Sequence, residues 1–410
     1  MIKKELKKGH THLVKGPTRV NVVKGKVEIL GKKISGKQNE TITDLDKIEE
    51  DNVLIVPDAK QYPLYANEDV TLEIYTNNAE ENLKEIEENS ILDEWIDIKD
   101  SILNQLKKKK EGETLKIMVL GLSKGKTTLI KYLANNLINE GYKGAYLDSD
   151  LGQQIMYLPT TISIGKINDS IISGEDIDPE FTTFIGATFP KGNLKFIVSH
   201  ACRNMIQRYT EKFDDADFVL IDTDGWIKTE AGVIYKKFFI ETVKPDIIIV
   251  FHDDDIDELK EIEKDAKKKS KLYMIKEENK FYYEKSKEER RFLRQSQFSR
   301  VLQEYRKLTI NLDDIEFVKY RFNKEENQIE EESLEIEELI KLPYHYVLMA
   351  LLDEDSEIIK IGLLFSINTE KDYILLFSDL SYKEQLKVDK ILVGSLRLST
   401  KGNHQGYLYL

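Results

Sequence analysis

The run Lys116-Ile117-Met118-Val119-Leu120-Gly121-Leu122-Ser123-Lys124-Gly125-Lys126-Thr127-Thr128-Leu129-Ile130 limits this chain more than any other stretch. Ile117 to Leu120 is a continuous apolar run, as a parallel strand covered on both faces requires. Gly121 and Gly125 let the backbone curl so that successive N–H groups point at an anion. Leu129, Ile130, Leu133 and Leu137 then follow at helical spacing. Strand, glycine turn and helix make a phosphate-binding loop, with Gly121, Leu122, Ser123, Lys124, Gly125, Lys126, Thr127 and Thr128 as its nucleotide-binding set. Lys126 reaches the terminal phosphates and the Thr127 hydroxyl sits where Mg²⁺ is held. The spacing is irregular, because Gly121 and Gly125 are separated by three residues and the usual motif has four. Either the loop is one residue short or Leu120 stands in place of the first glycine.

A chain of 410 residues exceeds one ordinary core. Strand-like runs broken by turns fill 1–78, including a hairpin signal at Lys24-Gly25 between Val20–Val23 and Lys26–Leu30. Residues 79–113 are charged and read as a helical linker ending in Lys107–Lys110, a solvated helix end or a nucleic-acid contact. From 114 to 307, strands at Ile117–Leu120, Gly144–Leu147, Phe218–Ile221 and Ile247–Phe251 alternate with helices around 196–210 and 231–243. That alternation is the signature of a doubly wound parallel sheet. Residues 308–410 read as a β-rich α+β domain with strands at Tyr346–Leu352, Ile358–Phe365 and Tyr373–Phe377, and an amphipathic acidic segment at Glu325–Ile340. The expected fold class is thus α/β, a phosphate-loop NTPase flanked by a small N-terminal β-domain and a C-terminal β-rich domain.

Formal charge of −13 excludes nonspecific coating of nucleic acid, although a local basic groove remains open. The single cysteine, Cys202, rules out internal disulfides and multi-cysteine zinc sites. Without a signal peptide or a bilayer-length apolar run, the expectation is a cytoplasmic protein with no membrane partner.

Three further constellations carry chemistry. Asp148-Ser149-Asp150-Leu151-Gly152-Gln153 lies at a strand's carboxyl end, where ligands bind in open α/β sheets. Asp150 is the candidate general base, or else a helix cap, and Asp148 with Asp150 and Thr127 forms the candidate metal set. Asp222-Thr223-Asp224-Gly225-Trp226 closes another apolar strand. It fits a metal-linked carboxylate, and D-x-x-G also fits a GTPase switch. The next strand, however, ends in Phe251-His252-Asp253-Asp254 and lacks the guanine-selecting Asn-Lys-x-Asp. Trp226 is either a base-stacking side chain or a core residue. The third is Lys285 to Lys307, eight cations against three glutamates. Its Arg290 and Arg294, spaced i,i+4, suit a lid over a γ-phosphate, whereas the plain alternative is a solvated basic helix.

Taken in order, these pieces resemble the polynucleotide 5′-hydroxyl kinases, which include the kinase subunit of eukaryotic mRNA 3′-end processing, the ribosomal-RNA processing kinases and their archaeal relatives. Asp148–Gln153 with Pro159 is similar to the family's acidic D-x-G-Q segment, and Phe184–Pro190 to its glycine-to-proline substrate loop. Thr223-Asp224-Gly225-Trp226 resembles the T-x-G-W clasp for the 5′-terminal nucleotide, and Lys285–Arg294 the lid. Gly16-Pro17, Gly25-x-Val27 and Val393–Leu398 resemble segments of the family's terminal domains. The resemblance implies γ-phosphate transfer from ATP, with Mg²⁺, to 5′-hydroxyl ends of RNA, with DNA as an alternative, in RNA processing and alongside protein partners. It gives Lys126 and Asp150 catalytic roles and one to the lid arginines, with Arg290 and Arg294 the candidates and the phosphate contact open among Arg290, Arg291 and Arg294. Gln153, Thr188, Thr223, Gly225 and Trp226 become the substrate contacts. The competing readings are a non-catalytic ATP-binding scaffold of an RNA-processing assembly and, further off, a GTPase or metallochaperone-like switch.

Overall fold

The computed structural model describes residues 1–36, 52–122, 125–279, 281 and 283–409. Its N-terminal part is two antiparallel sheets. One is ordered Ile2–Leu6, Val70–Thr76, Thr18–Lys24, Val53–Val56; the other is ordered Lys32–Ser35, Lys26–Ile29, Gln61–Ala66, Thr11–Lys15, Leu83–Ile86. Alternation dictates the arrangement, since Val20, Val22, Leu72 and Ile74 are buried from one sheet and Val27, Ile29, Tyr62 and Leu64 from the other, in one core. The Lys24-Gly25 signal is therefore not a hairpin. Gly25, at φ +83°, carries the chain from one sheet to the other. Both flanking strands thereby turn their valines into the shared core, whereas direct pairing would have kept them in one sheet.

The segment expected to be a helical linker is only partly helical. Leu83–Ile86 is a strand hydrogen-bonded along Thr11–Val14. There the open edge of the sheet overrides helix propensity. The long helix is Asp93–Leu106, which buries Trp95, Ile98, Ile102 and Leu106 at helical spacing. At its end Lys109 pairs with Asp217 at 3.0 Å.

The central sheet has seven strands, in the order Phe181–Phe184, Thr161–Ile167, Gly144–Asp148, Phe218–Asp222, Leu115–Leu120, Ile247–Phe251, Lys271–Ile275. The last five are parallel, and the first two form an antiparallel edge. The sheet divides two cores: Ile117 and Val119 face Leu129 and Leu133, and Met118 and Leu120 face Val198 and Phe239. Helices Lys126–Asn139, Leu194–Lys212, Glu230–Val243 and Asp257–Lys269 cover its faces. The carboxyl ends of Leu115–Leu120, Gly144–Asp148 and Phe218–Asp222 consequently open on one edge, where the phosphate loop lies.

After the helix Lys287–Leu302, an eight-stranded sheet built from 306–407 completes the chain. The acidic segment at Glu325–Ile340 folds as the strand Gln328–Ser333 followed by one short helix, Ile336–Leu339. Asn327 at φ +52° and the Asn323 Oδ1 bonds to the Glu325 and Glu326 N–H groups build a turn ahead of it, so period 2 replaces the helical period. Among the described residues no helix is long and apolar enough to cross a membrane.

Candidate active site

The loop between Leu120 and Lys126 needs its glycines. Gly121 has φ +144°, and a Cβ there would lie 2.8 Å from Phe251 Cβ. Gly125, at φ +77°, is the N-cap of Lys126–Asn139, and its Cβ would meet the Phe251 ring at 3.0 Å. A short loop thus delivers Lys126 to the first helical position and leaves the helix's N-terminal amides open to an anion. Ser123 and Lys124 lie outside the described residues. Lys126 is buried and donates to the Leu122 carbonyl. Burial pushes its pKa down, against the opposing pull of Asp222, Asp150 and Asp224. Thr128 lines the cleft beside it.

Three carboxylates stand at the ends of the neighbouring strands, and each has a different set of partners. Asp148 accepts from the Ile155 N–H at 2.9 Å and the Asp150 N–H at 3.2 Å, one bond on each oxygen. Asp222 Oδ2 accepts from the Thr127 hydroxyl at 2.6 Å and the Tyr146 hydroxyl at 3.1 Å. Asp222 Oδ1 is buried with no hydrogen-bond partner. Asp150 Oδ1 accepts from the Gly152 and Gln153 N–H groups, both at 3.0 Å. All three pKa values are raised, first by burial. For Asp150 the Asp224 charge adds to the rise and Lys126 opposes it. The carboxylate with an oxygen to spare beside Thr127 is therefore Asp222, which sequence reasoning placed at a strand end and left out of the metal set. Asp148, which was in that set, has both oxygens committed to shaping the Asp150 turn.

The lid helix, Lys287–Leu302, begins at a capping box between Ser286 and Glu289. Arg294 Nη1 donates to the Gly152 carbonyl at 3.2 Å, and Gln153 Nε2 donates to that same carbonyl at 2.7 Å. Arg290 lines the cleft. Both expected lid arginines therefore reach the Asp150 turn or the cleft above it, and Gln153 is part of the lid's seat.

On the other flank, Thr223 Oγ1 donates to the Val119 carbonyl at 2.8 Å, so its side chain braces adjacent strands. Asp224 Oδ1 accepts from the Trp226 N–H at 2.8 Å and lies 3.1 Å from Lys236 Nζ, an ammonium with no exposure at all. Trp226 is half-buried, its ring 4.4 Å from Phe189 and 5.9 Å from Tyr235. It is neither a core residue nor a free one. Gly225 lines the cleft next to it. Thr188 points elsewhere, its hydroxyl 3.0 Å from the Tyr407 hydroxyl of the C-terminal domain.

A cleft of about 1070 Å³ joins these parts, roofed by Pro57, Lys60 and Tyr62 of the N-terminal sheets and closed at one side by Arg290 and Leu293. Lys131, one turn beyond the loop, points into it, its pKa lowered to about 7 by burial and by the charges of Lys60 and Lys285. Sequence reasoning missed Lys131 and Lys236. Lys236 could have been found, because Val233, Lys236, Ile240 and Val243 share one buried helix face where a charge must have a partner. Lys131 had no such signal, since the roof over it comes from residues some seventy positions earlier.

Residues 122–304 match the family model described as mRNA cleavage and polyadenylation factor CLP1 P-loop. The chain is 27% identical over 342 residues to the polyribonucleotide 5′-hydroxyl-kinase of Methanocaldococcus jannaschii, covering 73% of this chain and 91% of that protein. To the enzyme of the same name from Pyrococcus furiosus it is 34% identical over 201 residues, covering 49% of this chain and 54% of that one. It thus spans about half the length of that second relative. Among solved structures, a Clp1p–Pcf11p complex superposes with a TM-score of 0.71 at 13% identity, covering 97% of each chain. Another, described for its extended Pcf11p–Clp1p interface and for ATP loss in a glycine-to-arginine point mutant, gives 0.70 at 15% identity over 97% of this chain and 98% of that one. The expected α/β phosphate-loop fold with flanking β-rich domains is borne out, and so is the family resemblance carried by the motifs.

Proposed function

We propose that this chain is an ATP-dependent polynucleotide 5′-hydroxyl kinase acting on RNA in an RNA-processing pathway of the cytoplasm. One observation supports it above the rest: Lys126, Thr127, Asp222, Asp150 and the lid's Arg290 line a single cleft, Arg294 is bonded to the Asp150 turn, and Trp226, paired with Phe189, follows directly on Gly225 of the same lining. A nucleoside triphosphate in the cleft would place its phosphates over the Lys126 helix terminus. The spare Asp222 oxygen beside the Thr127 hydroxyl suits Mg²⁺, which prefers hard oxygen ligands and keeps several waters. When bound, the ion neutralises charge on the phosphates. Asp150 takes the proton of the 5′-hydroxyl as its oxygen bonds to the γ-phosphorus and the bond to the ADP oxygen breaks. A carboxylate with a raised pKa is the stronger base for that step. Arg290 and Arg294 stabilise the charge on the moving phosphoryl group. Trp226 holds the terminal nucleotide by stacking. By analogy with the Clp1p complexes, protein partners belong to the same proposal.

The test is transfer from labelled ATP to a short 5′-hydroxyl RNA by wild type, Lys126→Ala and Asp150→Asn. Label on RNA with wild type alone supports the kinase. ATP binding that needs Lys126, without transfer by any form, would replace it with the scaffold reading.

A further inference from the structure

Beyond Trp226, the Phe184–Pro190 loop joins the face of the C-terminal domain. The Gly186 carbonyl accepts from the Ser395 and Leu396 N–H groups at 2.8 and 2.9 Å, which fastens the loop to the C-terminal sheet. Thr188 reaches the Tyr407 hydroxyl. After the strand His404–Tyr407, Leu408 is 1% exposed in the C-terminal core, while Tyr409 is 74% exposed and stands 6.4 Å, centroid to centroid, from the Tyr407 ring. Lys191 Nζ lies 5.9 Å over Tyr409. Phe189, 42% exposed, links this face back to Trp226. On the lid side, Gln295 is hydrogen-bonded to Asn403, and Arg294 and Arg291 act electrostatically on His404.

Exposed aromatic rings beside cations, continuous with a nucleotide clasp, have the composition of a single-strand binding track. A stack on Tyr409 needs no base identity, since every base has a π-face. Lys191, over the Tyr409 ring, is placed to meet a backbone phosphate beside it.

We propose that Tyr407, Tyr409 and Lys191 form a second polynucleotide subsite, which binds the single strand 3′ of the terminal nucleotide and makes the C-terminal domain part of the substrate site. This rests on the kinase reading above, with the terminal nucleotide at Trp226. It predicts that the enzyme measures substrate length: a nucleoside 3′-monophosphate occupies only the clasp, whereas a 5′-hydroxyl hexanucleotide reaches both subsites.

The experiment uses the full chain and the variants Tyr409→Ala, Tyr409→Phe and Lys191→Ala, with the mononucleotide and hexanucleotide RNA at saturating ATP. Tyr409→Ala is expected to raise the hexanucleotide KM by about five- to a hundredfold, the usual worth of one base–aromatic stack. The mononucleotide KM is expected to stay within about twofold, and Tyr409→Phe to restore the wild-type value, because the ring is kept. Lys191→Ala is expected to flatten the salt dependence of the hexanucleotide KM, as loss of one phosphate contact does. Equal changes for both substrates, or none, overturn the subsite and leave the kinase standing. If wild type transfers phosphate to neither substrate, the kinase reading falls. Anisotropy of a fluorescent hexanucleotide then judges the subsite by itself: weaker binding by Tyr409→Ala upholds it, and unchanged or absent binding overturns it.

Discussion

Gly186 and Gly394 meet backbone to backbone. A Cβ on Gly186 would lie 2.3 Å from Gly394 Cα, and one on Gly394 would lie 2.8 Å from Gly186 Cα and 2.7 Å from the Leu348 carbonyl oxygen. No flexible side chain is available to give way, so the loop itself must move. Gly394→Ala is therefore expected to raise the KM for a 5′-hydroxyl RNA by about tenfold or more, as small misplacements of substrate-positioning groups do. The Kd for ATP, which depends on the opposite side of the cleft, should stay within about twofold. A thermal melt alongside should show the cost of overpacking, about 1–3 kcal/mol. Parallel loss of ATP binding would show that the contact holds the whole fold together and not the loop.

Asp150 sets the acid limb of the reaction. Burial and the Asp224 charge raise its pKa above the ordinary carboxylate value. A base must be unprotonated, so kcat/KM should fall as pH drops through that raised pKa, above where a free aspartate would titrate. The linkage to stability runs the opposite way. The folded state holds this proton more tightly than the unfolded chain, so stability decreases as pH rises through the folded pKa. Asp150→Asn should abolish transfer without lowering the melting temperature at pH 8. Because the asparagine oxygen can still accept from the Gly152 and Gln153 amides, transfer retained by Asp150→Asn would reassign Asp150 as the structural cap of those amides.

How much of this was legible follows from range. Four of the five parallel strands and the lid helix arise from local patterns (apolar runs and i,i+4 spacing), and the structure has them where the patterns lie, whereas the edge strand Lys271–Ile275 was not anticipated. Lys24-Gly25 misled because a hairpin and a crossing between sheets share the same local signal, and only the strand partners of Val22 and Val27, Leu72 and Ala66, distinguish them. Leu83–Ile86 misled because its charged sequence favours helix, yet the Thr11–Lys15 edge supplies backbone partners. In the site, the choice between Asp148 and Asp222 beside Thr127 was invisible, since both follow apolar strands. Which one keeps a free oxygen depends on the Ile155 amide, seven residues along a folded turn.

Lys131 should make nucleotide binding pH-dependent. With its pKa lowered to about 7 by burial and by Lys60 and Lys285, it is half-charged at neutrality. An anion prefers the protonated form, so the Kd of an ATP analogue should rise from pH 7 to pH 9 by up to about tenfold per pH unit until the bound-state pKa is passed. Lys131→Met should flatten this slope relative to wild type under the same buffers. In the free protein the unfolded state binds this proton more tightly, so burying Lys131 costs stability at low pH and that cost is relieved as pH rises from about 7 toward the ordinary lysine range. A slope identical in wild type and Lys131→Met would place the ligand phosphates out of this lysine's reach.

Trp226 and Phe189 should act as a pair. Their rings are 4.4 Å apart at an interplanar angle of 51°, with Tyr235 behind Trp226. Trp226→Ala removes the platform and should raise the RNA KM by about five- to a hundredfold. Phe189→Ala should give a smaller rise, and the double variant less than the sum, because the two rings share contacts. ATP affinity should not follow in either case. If ATP and RNA binding fall together in Trp226→Ala, the indole is packing the Asp222–Gly225 strand end and not a base.

Lys236 places a charge where water cannot reach, 3.1 Å from Asp224 Oδ1, and that same oxygen accepts the Trp226 N–H. The other Asp224 oxygen is buried without a hydrogen-bond partner, so the lysine is the main compensation for this carboxylate. Lys236→Met should therefore destabilise the fold by about 3–5 kcal/mol in urea unfolding, the range for removing one member of a buried pair. Lys236→Met combined with Asp224→Asn should recover much of that loss, since no uncompensated charge remains and the amide oxygen can still accept from Trp226. The kinetic readout separates support from simple stability. In the recovered double variant the RNA KM should return toward wild type together with the Trp226 backbone bond. Stability restored with a KM still raised would mean that the Asp224 charge itself, and not the position it gives Trp226, acts on the substrate.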